Sequence, residues 1–182
     1  MAIKTIWTIG HSTRTLDELI ALLVENGIQT LVDVRAFPGS RKYPWFGKEA
    51  LKASLPAAGI EYVHLVELGG RRRGAEDSPN TTWRHPSFRA YADYMETDRF
   101  REAIRRLEAI ALKRRACLMC SEAVWWRCHR SLISDLLKSQ GWDVRHLLGP
   151  AVVKCHEYTK PARVESGILT YRPPTPLLDG QD

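Results

Sequence analysis

The sequence predicts an α/β fold, a three-layer α/β/α sandwich around a mostly parallel sheet of about five strands. Two observations lead to this fold class. Short apolar runs alternate along the chain with segments in which apolar residues recur at helical spacing. Strands that alternate with helices pair in parallel through right-handed crossovers, which place helices on both faces of the sheet. The chain has 182 residues, 44% of them hydrophobic and 26% charged, so we expect a single α/β domain over residues 1–182.

The first half of the chain predicts strands and helices in alternation. Thr15 and Glu18 form a capping-box pattern at the start of the first helix, and Gly27 marks the end of that helix. The other predicted elements are a strand over 4–9, a strand over 30–34, a helix over 48–58 and a strand over 60–65.

The second half opens with a polar, irregular segment over 69–86. Ser87 and Thr97 are typical N-caps of two helices, the second of which has apolar residues along one face. A strand over 116–119, a helix that ends at Gly141 and a strand over 142–148 complete the predicted sheet. Residues 149–182 are rich in proline and predict an extended C-terminal arm.

The composition favours an anionic partner. A net charge of +6 and a pI near 9.3 suit an anionic small molecule or nucleic acid. No apolar stretch approaches the roughly 18 residues that span a bilayer, and the first residues lack a signal-peptide pattern. We therefore expect a cytoplasmic protein without a membrane partner. The four cysteines lack the density of a disulfide scaffold, which favours reduced thiols or ligands.

The segment from Met119 to Ser131, MCSEAVWWRCHRS, concentrates reactive side chains where a buried strand becomes a helix. Two cysteines, a glutamate, a histidine and two arginines lie within it. Unpaired N–H groups at the amino end of a helix favour anions and thiolates. Because open α/β sheets bind ligands beyond the carboxyl ends of their strands, this segment predicts a functional site.

The other predicted strands also end in residues capable of chemistry. Since the carboxyl ends of parallel strands lie along one edge of a sheet, we expect these residues to converge despite their separation in sequence. They are Gly10, His11, Ser12, Asp33, Arg35, His64, Gly69, Gly70, Cys120 and Glu122.

We assign catalytic roles to four of these residues, namely Cys120, Glu122, His11 and Asp33. The helix amino end and nearby arginines would favour a Cys120 thiolate, and Glu122 could act as a general acid or base. The alternatives are that Cys120 is a small apolar plug and that Glu122 caps the next helix. Cys117, inside the strand, is expected in the core.

Cys128 and His129 are adjacent at the start of a predicted helix and should point in different directions. We therefore expect one of them to serve the substrate while the other packs. The spacing of Cys120 and Cys128 does not match a zinc finger, so no metal is assigned. A metal site assembled from His11, Cys120, Cys128 and either Cys155 or His156 is the alternative.

Two loops, over 35–46 and 69–84, carry arginines interleaved with aromatic residues. Arginines beside aromatic rings can bind phosphates while the rings stack on bases. Asp33 and Arg35 alternatively form an internal ion pair, and the arginine-rich loops a solvated lid. The predicted substrate- or anion-binding residues are Ser12, Arg35, Ser40, Arg41, Gly69, Gly70, Cys128, His129 and Arg130.

The ordered motifs resemble those of the bacterial and archaeal family called domain of unknown function 488. The motifs are TIGHS at 8–12, LVDVR at 31–35, PGSR at 38–41, LGG at 68–70 and CSE…CHR between 120 and 130. The resemblance implies a common site but no established activity. A partial similarity links the strand that ends in Asp-Val-Arg, and the cysteine-headed loop, to rhodanese-type sulfurtransferases.

Three functions follow as hypotheses. The favoured one is a thiol-dependent transferase or hydrolase acting through Cys120 and Glu122 on a phosphate-bearing or nucleotide-like substrate held by the arginine-rich loops. One alternative is a nucleic-acid-binding module with a structural cysteine and histidine cluster. The other is a metal or redox sensor that uses Cys120 and Cys128. The sequence assigns no cofactor and no oligomeric state.

Overall fold

A computed structural model of the protein describes residues 3–174 and contains a six-stranded central sheet. Its strands are β1 (Thr5–Gly10), β2 (Thr30–Asp33), β3 (Glu61–His64), β4 (Ala116–Cys120), β5 (Asp143–Gly149) and β6 (Val152–Cys155). Their order in the sheet is β3-β2-β4-β1-β5-β6, and every neighbouring pair is parallel except β5 and β6. The predicted mostly parallel α/β sandwich is confirmed.

Five α-helices of the described part of the chain flank the sheet. They are α1 (Leu16–Glu25), α2 (Lys48–Ser54), α3 (Pro86–Met95), α4 (Asp98–Lys113) and α5 (Arg130–Ser139). Buried residues from α1 and α2 pack with Ile9 and Met119 on one sheet face. Buried residues from α3, α4 and α5 pack with Ile6 and Leu118 on the other face. The alternation of side chains along each strand thus supplies both cores of the sandwich.

The helix boundaries follow the capping signals, with one difference. Thr15 and Glu18 form the predicted capping box, and Thr97 caps α4. The cap of α3 is His85 rather than the predicted Ser87, because the helix already begins at Pro86 and the His85 ring accepts the Ser87 N–H. Proline suits this first helical position, where its missing N–H would have no partner inside the helix.

Three short strands lie between residues 150 and 174. β6 pairs antiparallel with β5 at the sheet edge, and β7 (Arg163–Glu165) pairs with β8 (Ile168–Thr170) as a separate hairpin. The two-residue turn of this hairpin has positive φ at both Ser166 and Gly167, which matches the right-handed twist of the flanking strands. Residues 175–182 of the predicted arm lie outside the described residues.

A buried chain of hydrogen bonds ties the first strand to α5. The Thr8 hydroxyl bonds to His146 Nδ1 at 2.7 Å, His146 Nε2 bonds to His156 Nδ1 at 3.0 Å, and His156 Nε2 bonds to Asp135 Oδ1 at 2.9 Å. Burial lowers the pKa of His146, so this ring is neutral and carries a proton on only one of its two nitrogens. Asp135 also accepts hydrogen bonds from Thr159 and Tyr171. This network fastens the C-terminal segment to the central layers.

Among residues 3–174, no helix is both long and apolar enough to cross a bilayer.

Candidate functional site

The loops that follow β1, β2 and β4 meet at one edge of the sheet. His11 donates its backbone N–H to the carbonyl of Cys120 at 2.9 Å, and the Ser12 N–H bonds to Ser121 at the same distance. Val34 likewise donates to Met119 at 3.0 Å. The parallel register therefore brings together residues more than a hundred positions apart, as the edge argument predicts.

Gly10 permits the close approach of the loop that follows Cys120. A Cβ atom at this position would lie 1.7 Å from the carbonyl oxygen of Glu122, far inside van der Waals contact with a backbone atom. No side chain fits here. The glycine of the TIGHS motif is thus required for the close packing of the loop that follows Cys120.

Three side chains form a compact cluster, which we call the thiol cluster: Cys120, Cys128 and His129. The Cys128 Sγ lies 3.6 Å from His129 Nδ1, and the Cys120 Sγ lies 3.9 Å from the same nitrogen. Both thiols are almost completely buried. The expectation that Cys128 and His129 point in different directions is wrong, because Cys128 has extended backbone angles before the helix begins.

The orientation of His129 is set by its surroundings. Its Nε2 donates to the Val34 carbonyl at 3.1 Å, and a carbonyl only accepts, so this nitrogen carries a proton. The Tyr91 ring packs against the imidazole edge-on with centroids 5.1 Å apart. A Cβ atom on Gly70 would come within 2.5 Å of Nδ1. The ring is thereby held with Nδ1 toward the two sulfurs.

The environment shifts the pKa values of the two thiols of the cluster in opposite directions. The hydrogen bond from Cys128, together with bonds from His129 and the backbone N–H of Glu122, holds the pKa of Cys120 well below its ordinary value despite burial. Burial, reinforced by the neighbouring Cys120, raises the pKa of Cys128 well above its ordinary value. Of the two thiols, Cys120 is therefore the one that loses its proton more readily. Burial also raises the pKa of Cys117, which lies in the core as expected.

A buried ion pair lies beside the thiol cluster. Arg35 donates to both carboxylate oxygens of Asp33, at 2.9 and 2.6 Å, and to the Phe46 carbonyl at 2.7 Å. Its remaining terminal nitrogen donates to His11 Nε2 at 3.2 Å. The alternative of an internal ion pair is therefore what the structure shows for Asp33 and Arg35. Most of the Arg35 guanidinium is already engaged within the protein.

His11 is held neutral by this arrangement. Burial and the adjacent Arg35 lower the pKa of His11. Since Arg35 donates to Nε2, the His11 Nδ1 carries the proton and donates to the Ser12 carbonyl at 3.0 Å. The ring also stacks on Phe46 with centroids 4.2 Å apart. Both ring nitrogens are engaged, so His11 supports the site rather than offering a free base.

Arg130 stabilises the loop between Cys120 and Cys128 through hydrogen bonds. Its terminal nitrogen donates to the carbonyls of Glu122 and Ala123, at 2.9 and 3.0 Å, and the side chain is almost fully buried. Its Nε and second terminal nitrogen have no hydrogen-bond partner among the described residues. Arg130 therefore shapes the loop through main-chain oxygens and adds a buried positive charge near the thiols.

The other predicted residues are more peripheral. The Glu122 carboxylate is exposed, so this residue reaches Cys120 through its backbone. Ser40 accepts the Tyr43 N–H at 3.1 Å, and Arg41 is exposed on the same loop. Gly69 packs on the Ala36 backbone, where a Cβ would lie within 2.8 Å.

The thiol cluster is also the place where an ion could be held. Its three ligand atoms lie within 4.8 Å of one another, the one such group of three among the described residues. The alternative set with Cys155 or His156 is not assembled, because Cys155 is exposed on β6 and His156 bonds to Asp135. Sequence reasoning missed Tyr91 and the Val34 carbonyl, for which the chain carries no local signal.

Comparisons with known proteins give a family but no activity. Residues 15–137 match the family described as domain of unknown function DUF488, a range that includes the thiol cluster and begins after His11. No curated protein matches the chain, and no solved structure matches it. The partial similarity to rhodanese-type sulfurtransferases finds no support in these comparisons. The match covers more than half of the chain and contains the cysteine loop and the ion pair, so the protein belongs to the DUF488 family.

Proposed function

We propose that the protein is a thiol-dependent transferase or hydrolase that acts on a phosphate-bearing or nucleotide-like substrate. The observation that carries this proposal is the pairing of Cys120 with His129, whose other nitrogen is bonded to a backbone carbonyl. A nucleophile, a base and a group that orients the base form the arrangement by which unrelated enzymes activate cysteine. Cys128 adds an S–H donor that stabilises the thiolate.

In the proposed reaction the Cys120 thiolate attacks the electrophilic carbon or phosphorus of the substrate. A bond forms to Sγ as the bond to the leaving group breaks, and the leaving group takes from His129 Nδ1 the proton that Cys120 gave to this nitrogen when the thiolate formed. Water or a second acceptor then attacks the sulfur-linked intermediate and returns its proton to Nδ1, which restores the thiolate. The Glu122 N–H and the amino end of α5 favour the negative charge that develops. We assign Glu122 this backbone role in place of general acid or base.

The positive charge of the protein favours an anionic substrate. The net charge is +6, and the exposed arginines of the two loops are Arg41, Arg71, Arg73 and Arg84. Arg35 and Arg130, which are buried and bonded to protein acceptors, contribute to the shape of the site. Guanidinium groups that are free at the surface can form paired hydrogen bonds with phosphate oxygens.

The test is turnover of nucleotides and simple phosphate esters by the intact protein, with its mass measured during the reaction. We expect a covalent adduct on Cys120. Cys120→Ser and His129→Gln should lose at least about 10²-fold in rate, the usual contribution of a nucleophile or base. Cys155→Ser, which removes the exposed thiol on β6, is the matched control and should keep full activity. Full turnover by Cys120→Ser would rule out the thiol mechanism.

A metal site is the second candidate, supported by the three convergent ligand atoms of the thiol cluster. Two thiolates and an imidazole are ligands that Zn²⁺ accepts readily. Metal analysis of the purified protein tests this. One tightly held ion per chain, lost in Cys128→Ser and kept in Cys155→Ser, together with protection of Cys120 from alkylation, would favour metal binding over the thiolate enzyme.

A further inference from the structure

A cleft lies beside the cysteine loop. Its volume is about 880 Å³, within the range of small-molecule sites. We call it the aromatic cleft, after five lining residues: Trp83, Phe88, Trp125, Trp126 and Tyr158. Trp126 and Tyr158 keep 52% and 39% of their surface exposed. Both rings are thus partly open at the cleft, although Lys138 Nζ lies 5.2 Å from the centre of the Tyr158 ring.

The polar groups of the cleft are suited to an anion that accepts hydrogen bonds. Arg84 and Lys160 are exposed lining residues, and no described lining residue carries a carboxylate. Trp125 is more than nine-tenths buried, yet its indole N–H has no partner among the described residues. The indole N–H of Trp83 is also buried without a partner there. Because these two N–H groups have no exposed surface, the charged groups that a ligand in the cleft meets are Arg84 and Lys160.

The aromatic cleft adjoins the thiol cluster through shared elements. Trp125 and Trp126 lie in the loop that joins Cys120 to Cys128. Phe88 lies on α3 one turn before Tyr91, whose ring packs on His129. Residues three apart on a helix are surface neighbours. A ligand in the cleft would therefore contact the same loop and helix that hold the reactive thiol.

We propose that the aromatic cleft binds the base of a nucleotide, with Lys160 and Arg84 holding its phosphate. Aromatic rings bind bases by stacking, and nearby cations add affinity for the phosphate. This inference rests on the proposed function, which names the class of substrate. It adds the location at which the base of that substrate binds. The nucleotide is either free or part of a single strand, since both present a base next to a phosphate.

The test is calorimetric titration of the intact protein at low salt with adenosine 5′-monophosphate, a six-nucleotide single strand and inorganic phosphate. We expect the nucleotide to bind much more tightly than inorganic phosphate. Trp126→Ala and Lys160→Ala should each weaken nucleotide binding about tenfold, the scale of one lost stacking contact. The matched controls are Leu112→Ala and Lys113→Ala, two exposed residues of α4 outside the cleft, which should leave affinity unchanged.

The outcomes separate this inference from the proposed function. Equal binding of nucleotide and inorganic phosphate, or full affinity in Trp126→Ala, would overturn the cleft assignment even if Cys120 is catalytic. Cys120→Ser should keep its affinity for nucleotide, and a loss of turnover without loss of binding is the expected result. If the single strand binds more tightly than the mononucleotide, the ligand of the cleft is a nucleic acid. If the two bind equally, the ligand is a free nucleotide.

Discussion

At the scale of the single residue, the distinctive chemistry belongs to Cys120. Its lowered pKa follows from hydrogen bonds, of which the one from Cys128 is the strongest, and not from exposure. Reactivity of a cysteine depends on its thiolate fraction. We expect the alkylation rate of Cys120 by iodoacetamide to rise with pH at a midpoint below the reference value of about 8.5.

Cys128→Ala should move that midpoint upward, because it removes the S–H donor. Peptide mass analysis after timed labelling measures the rate at each cysteine, and Cys155→Ser is the control. Labelling of Cys120 no faster than that of the core residue Cys117 at neutral pH would contradict the assignment of a thiolate.

The buried ion pair gives a second prediction at this scale. Arg35→Ala should lower the free energy of unfolding by about 3–5 kcal/mol, since it leaves the Asp33 carboxylate buried without its charged partner. Arg41→Ala on the same loop removes an exposed guanidinium and should change stability by less than about 0.5 kcal/mol. Urea denaturation measures both. Similar stabilities for the two variants would show that the ion pair is not needed for folding.

At the scale of the element, the loop at Gly70 sets the position of His129. Gly70→Ala places a Cβ against the imidazole, where only about 2.5 Å is available, and should displace Nδ1 from the sulfurs. We expect slower alkylation of Cys120 near neutral pH with the fold retained. Gly74→Ala is the matched control, because its Cβ would meet Ala90 at an ordinary 3.5 Å. Equal labelling rates in both variants would exclude His129 as an activating group.

His146, on strand β5, makes the free energy of unfolding depend on pH. Burial first, and then His156 and Arg130, lower the pKa of His146 to about 2. The unfolded chain binds a proton at this histidine below about pH 6.5, and the native chain does not. Stability therefore falls as pH decreases below 6.5, by about 1.4 kcal/mol per pH unit for this group.

His146→Gln should be less stable at neutral pH, but its free energy of unfolding should fall less steeply as the pH decreases. The slope should decrease by the contribution of one proton. Lys113→Gln, which changes an exposed residue of α4, should leave the slope unchanged. Urea denaturation at pH 7.5, 6.0 and 5.0 gives the slopes. An unchanged slope in His146→Gln would show that this histidine is protonated in the native protein.

At the scale of the whole molecule, α5 joins the site to the C-terminal segment. Asp135 on this helix accepts the hydroxyl of Tyr171 at 2.8 Å, next to the hairpin of β7 and β8. Tyr171→Phe removes a hydrogen bond to a buried charge and should cost about 1.5–3 kcal/mol of stability. Amide exchange should become faster in the hairpin than in β1. Tyr158→Phe, at an exposed ring, is the control, and equal protection in both variants would contradict this role.

The sequence by itself determined the fold class, because strand and helix periodicity and capping residues such as Thr15 are local properties. It also predicted the edge of the sheet where Cys120 lies, since parallel strands end together. It left open whether Arg35 pairs with Asp33 or binds a substrate, and it did not reveal the direction of Cys128 or the cap at His85.

Only the tertiary structure decided which side chains meet at that edge. The contact of His129 with Val34 spans residues from different elements, and its geometry depends on strand order and on loop backbone angles. The same is true of Gly10, whose missing side chain matters because a distant carbonyl occupies that space. Local pattern specifies elements, whereas the approach of one element to another depends on packing between residues far apart in the chain. That packing supplies the hydrogen bonds that lower the pKa of Cys120, whereas the pattern of the chain alone makes this residue a candidate for a functional thiol.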